Sequence, residues 1–174
     1  MISSKKKASN LHPVVAEMLE ADLNIGNTIQ FKVVSNSMGP LILRGDYVIA
    51  QKEKLSEIKR GELVLIQRRD DFLTHRLIMK SSNNWLAKGD NNLFPDSPAK
   101  SDVIIGRILM VRGDDYEIDL RGRKWQIINP VIATLSRLEW KAFSIQRYLR
   151  LPFRLGIKFF QKFSMPKRNV HVNA

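Results

Sequence analysis

The stretch SNSMGPLILRGDYVIAQ, Ser35 to Gln51, decides how the rest of the chain is read. An alternating run, Ile29-Gln30-Phe31-Lys32-Val33-Val34, leads into it, and DYVIAQ (46–51) closes it. The pattern predicts a strand, a polar bend and a second strand. Gly or Asp would satisfy a plain bend. This one carries Ser35 and Ser37, with Met38 and Pro40 directly after. Ser37 is therefore read in two ways: as a nucleophile, or as a polar turn residue.

Outward from this stretch, short runs with strand character follow closely: 62–67, 72–79, 85–88, 103–112 and 115–120, after 29–35 and 46–51. Gly, Asp, Asn or Pro clusters separate many of them, and Gly113 to Asp115 reads as a hairpin turn. The spacing predicts a mainly β fold with flanking α, built on a partly closed antiparallel sheet. Residues 13–22, PVVAEMLEAD, suit a short helix with proline at its start, and residues 1–10 suit disorder. The C-terminal third turns helical. The expected division is a disordered 1–10, a core domain over 11–130 and a basic helical tail over 131–174.

Composition narrows the chemistry. The 174 residues are 44% apolar and include no cysteine, which excludes disulfides and thiolate metal sites. A three-histidine zinc site would need His12, His75 and His171 together, and no metal or cofactor is expected. No apolar h-region follows the lysines of MISSKKKASN, and no uncharged run of 18 apolar residues occurs. Hydroxyl, carboxylate and single-imidazole chemistry remain.

Ser35, Ser37, His75, Asp90 and Asp96 fall near predicted strand ends. A serine hydrolase needs a hydroxyl, a base and a group that orients the base. Ser37, His75 and one aspartate supply these types, although serines in turns and histidines in strands also serve plain structural ends. The loop AKGDNNLFPD, Ala87 to Asp96, holds both aspartates.

The order of these segments resembles the signal peptidase I and LexA superfamily. SNSMGPLILRGDYVIAQ is similar to its nucleophile segment, IKRGELVLI to the following box, THRLI and KGDNNLFPD to the third and fourth, and VIIGRIL to the closing strand. The likeness covers roughly residues 29–112. Bacterial signal peptidases and LexA-type proteins carry a lysine in the third box. Here the position is His75, similar to the archaeal and endoplasmic-reticulum type with Ser, His and Asp. The resemblance implies Ser37 as nucleophile, His75 as base and Asp96 as its orienting acid, with Asp90 the secondary acid candidate and expected to bond backbone in its own loop. It implies an oxyanion hole from the Ser37 N–H and the Ser35 hydroxyl. Asn36 stands where glycine is usual, a residue that tolerates positive φ. Met38 and Pro40 read as scaffold, Lys88 as structural, and Arg76 and Arg107 as solvated or paired.

The net charge is +12, and residues 137–174 carry nine Lys/Arg against the single acid Glu139, a net of +8. Placed on one helical wheel, residues 135–163 gather Arg147, Arg150, Arg154, Lys158 and Lys162 on one side. Leu138, Leu149, Phe153, Phe160 and Phe163 gather on the other, with a kink expected at Pro152. This basic amphipathic pattern suits an anionic membrane surface, the bland alternative being a helix packed on the sheet. Nucleic acid is not an expected partner, since no DNA-reading motif occurs. The reading reached is a serine endopeptidase acting on a protein or peptide, such as a leader or signal segment. It is expected to be cytoplasmic and peripheral to the inner membrane. The alternatives are a degenerate peptidase fold that grips extended peptides, and a LexA-like regulator.

Overall fold

A computed structural model describes residues 28–69, 71–81, 84–96, 102–143 and 150–164. Seven strands form one antiparallel sheet: β1 (Thr28–Lys32), β2 (Tyr47–Lys52), β3 (Leu63–Arg68), β4 (Asp71–Lys80), β5 (Trp85–Lys88), β6 (Val103–Arg112) and β7 (Glu117–Asp119). Their order is β1-β2-β6-β3-β4-β5, so among the described residues the sheet stays open, with β1 and β5 at its edges. The long β6 pairs with β2 along one side and with β3 and then β7 along the other. The fold is thus mainly β with flanking α, as the strand pattern predicts. The expected N-terminal disorder and the helix over 13–22 lie outside the described residues.

The central strand shows why the pattern works. Leu63 and Leu65 point into a core with Ile29, Met38, Ile42, Val48, Val111 and Trp125. Val64 and Ile66 point the other way, into a second core with Ile58, Leu77 and Ala87. A strand buried on both faces needs a continuous apolar run, and LVLI supplies it.

Two helices complete the described structure, α1 (Arg123–Phe143) and α2 (Arg150–Ser164). Among the described side chains of α1, the buried ones are Trp125, Asn129, Ile132, Ala133, Ser136 and Glu139, a stripe at helical spacing. Three of these six are polar. α2 lies against α1: a Cβ on Gly156 would stand 3.3 Å from Leu135 Cδ1.

The tail differs from the single amphipathic helix expected over 135–163. α1 starts at Arg123, so the boundary expected at residue 130 falls within it, and the proline inside it is Pro130. Pro152 stands in the first described turn of α2, and the residues before it, on which the expected kink depends, lie outside the described residues. Arg147, Leu149 and the side chains of Arg150, Phe153 and Arg154 lie outside the described residues. The buried side of α2 carries Ile157 and Gln161. Facing away from it stand Leu155, Phe159 and Phe163, exposed by 58%, 65% and 80%. The exposed apolar stripe is therefore these three at i, i+4 and i+8. It does not include Phe160, which is half-buried. Lys158 and Lys162 are exposed beside it.

Candidate active site

The segment between β1 and β2 holds Ser37 by burying its neighbours. Met38, Leu41 and Ile42 are in the core. Val33 N donates to Asp46 O at 2.7 Å and Gly45 N to Val33 O at 2.8 Å, closing the loop at its base. The Asp46 carboxylate accepts from Leu43 N at 2.7 Å and from the Tyr116 hydroxyl. Met38 is thus scaffold, as read from the sequence. Asn36 does not use positive φ, which among described non-glycine residues occurs only at Arg69. Its side chain accepts a hydrogen bond from Arg44 N at 2.9 Å instead.

Ser37, half-buried, places its Oγ 3.2 Å from His75 Nε2. On the far side of the ring, His75 Nδ1 meets Asp96 Oδ2. The imidazole is buried, and the Asp96 side chain keeps 16% exposure. Ser35 Oγ lies 3.1 Å from Ser37 Oγ. The structure therefore brings Ser35, Ser37, His75 and Asp96 into one hydrogen-bonded line.

Strand geometry sorts the two aspartates. Neighbouring residues on a strand face opposite sides. His75 and Arg76 are neighbours on β4, so the loop after β5 meets one with each acid. Asp96 reaches His75, while Asp90 takes a two-pronged bond from Arg76, at 2.8 Å from Nε and 2.7 Å from Nη2. Both side chains of that pair are fully buried. Arg76 Nη1 also donates to Gly61 O and to Asn129 Oδ1. Asp90 was expected to bond backbone in its own loop. It bonds Arg76 and Gln161 instead, because a buried guanidinium needs a carboxylate more than a turn does.

The loop 88–96 is fitted against the serine. Asn91 N donates to Ser37 O at 2.8 Å. A Cβ on Gly89 would stand 2.7 Å from the same oxygen, so only glycine permits this approach. Asp96 N donates to Ala87 O at 2.9 Å, which sets the height of its carboxylate. Lys88 is buried and pairs with Glu139 at 3.0 Å, so it is structural, and Arg107 pairs with Glu53 and Glu62.

Three participants escape sequence reading: Asn129, Glu139 and Gln161. Glu139 does leave a signal, as the single acid among nine cations, flanked by Leu138 and Trp140. An acid kept in such company has a reason to be there. Lys158 and Lys162 lie on α2 and take no part in the line from Ser37 to Asp96.

A serine, an imidazole and a carboxylate in this order is the arrangement of serine hydrolases. The Peptidase S24-like family model matches residues 8–109, more than half of the chain, and covers Ser35, Ser37, His75 and Asp96. The chain belongs to that family. No curated protein matches it.

Proposed function

We propose that this chain is a serine endopeptidase of the Ser-His-Asp kind, resembling signal peptidases, that cuts a protein or peptide segment at a membrane surface. The observation that carries the reading is the unbroken contact from Ser37 Oγ through His75 to Asp96. Ser37 Oγ bonds to the scissile carbonyl carbon while its proton passes to His75 Nε2. Asp96 holds the Nδ1–H tautomer and stabilises the imidazolium. The Ser37 N–H and the Ser35 hydroxyl face the charge that develops on the carbonyl oxygen. The C–N bond then breaks as His75 returns the proton to the leaving amine. A water, deprotonated by His75, hydrolyses the ester and frees Ser37.

The membrane part of the proposal is supported by the outward face of α2, where Leu155, Phe159 and Phe163 run beside Lys158 and Lys162. No helix among the described residues is long and apolar enough to cross a membrane. An interfacial helix needs only one apolar face and cationic flanks. The deciding experiment compares cellular peptides by mass spectrometry between the wild type and Ser37→Ala. Peptide ends that disappear with Ser37→Ala support cleavage. Identical peptide sets, with an extended peptide still bound, would make the chain a binding module.

A further inference from the structure

The helix pair lies beyond residue 109, where the family match ends, yet two of its buried side chains reach the loop that carries Asp96. Glu139 Oε2, on α1, accepts from Lys88 Nζ at 3.0 Å, and solvent is excluded from both side chains. Gln161 Nε2, on α2, donates to Asp90 Oδ2 at 2.5 Å, and Gln161 is fully buried. Lys88 and Asp90 flank Gly89, the residue pressed against the Ser37 carbonyl, and Asn91 bonds that carbonyl. The contact between loop and serine is thus gripped on both sides by groups from the helices.

A helix that only covered a sheet would present apolar residues at 139 and 161. Burying a cation and an anion costs several kcal/mol per ion before their attraction is counted, and the pair tolerates little displacement. Removing one member leaves the other as an uncompensated buried charge, so the two groups are held to one another. We infer that α1 and α2 are a working part of the site. Glu139 and Gln161 are positioning residues: they hold Lys88 and Asp90, and through them the height of Ser37 and the approach of Asp96 to His75. This inference rests on the peptidase reading for its effect on turnover.

The test uses the full-length chain carrying Gln161→Leu or Glu139→Gln. Ile127→Ala is the control, because Ile127 is an exposed apolar position of α1 that takes no part in the grip on the loop. Peptide turnover is measured at a temperature where circular dichroism shows each variant folded, and the His75 Nδ1 proton is followed by NMR. The expected result for Gln161→Leu and Glu139→Gln is a fall in kcat of about ten- to a hundredfold with KM little changed, and a displaced His75 proton signal. Ile127→Ala should keep both readouts. Equal turnover per folded molecule in all three variants overturns the inference. If the wild type shows no Ser37-dependent turnover, the peptidase reading fails and the NMR signal alone decides. An unmoved His75 signal in Gln161→Leu and Glu139→Gln then overturns the positioning role, and a moved one supports it.

Discussion

At the scale of single residues, the site tests itself by non-additivity. If Ser37, His75 and Asp96 act as a unit, Ser37→Ala and His75→Ala should each remove nearly all turnover, and the double variant should be no slower than either. Additive losses in steady-state kinetics would separate the two residues. The aspartates should divide by kind of damage. Asp96→Asn, which presents the wrong partner to Nδ1, should lower kcat by about 10³- to 10⁴-fold with the fold intact. Asp90→Asn leaves the buried Arg76 guanidinium short of its counter-charge, and should cost about 3 kcal/mol in denaturant unfolding. The reverse pattern, with Asp90→Asn stable but inactive, would exchange their roles. Ser37, His75 and Asp96 are legible in sequence as a candidate set because each sits in a short ordered box. Asp90 is harder to read because its partner Arg76 looks like one more strand cation beside the histidine. Only the alternation of faces on β4 explains why the first aspartate of the loop serves Arg76 and the second serves His75.

At the scale of elements, period-two alternation makes the sheet readable. The predicted strands at 62–67, 72–79, 85–88 and 103–112 match β3 to β6 within a residue or so. β2 and β6 bury alternate residues, so a slip by one would expose them, whereas β3 is read from its continuous apolar run, buried on both faces. The helices are less readable. The basic residues of the tail dominate its helical wheel, but the side of α2 that packs is defined by Ile157 and Gln161, and a buried glutamine carries no hydropathy signal. Where α1 meets the sheet, Gly61 adopts φ +98°, and a Cβ there would stand 2.4 Å from the Asn129 carbonyl. Gly61→Ala should therefore push α1 away and cost at least about 2 kcal/mol, from the left-handed backbone and the collision together. For a chain of this size that is roughly a 4–8 °C fall in Tm by calorimetry. An unchanged Tm would mean that α1 does not rest on this turn. The Lys88–Glu139 pair bears on the same junction. Lys88→Met alone should cost about 3–5 kcal/mol, and adding Glu139→Met should recover most of it, because the lost term is an uncompensated buried charge.

At the scale of the whole molecule, α2 has two unlike faces. Its inner face puts Gln161 on Asp90, and its outer face shows Leu155, Phe159 and Phe163 to solvent beside Lys158 and Lys162. The rings of Phe159 and Phe163 stack with centroids 6.2 Å apart, so the aromatic surface is continuous along the helix. Cutting the chain at Glu139 would remove both faces at once and could not separate their effects, so surface substitutions are the better probe. Each Lys near an anionic bilayer contributes about 1 kcal/mol, so Lys158→Gln with Lys162→Gln should weaken vesicle binding about thirtyfold. Phe159→Ser with Phe163→Ser should weaken it further by withdrawing the apolar contact. Binding should also fall as salt rises, since the Debye length is about 10 Å at 0.1 M. Co-sedimentation with phosphatidylserine-containing vesicles reads all of these effects, with phosphatidylcholine vesicles as the uncharged control. Because these side chains point away from Asp90, the four substitutions should leave turnover of a short soluble peptide unchanged. Equal sedimentation of wild type and both variants would rule out a lipid partner for α2, and its aromatic stripe would then belong to a protein contact.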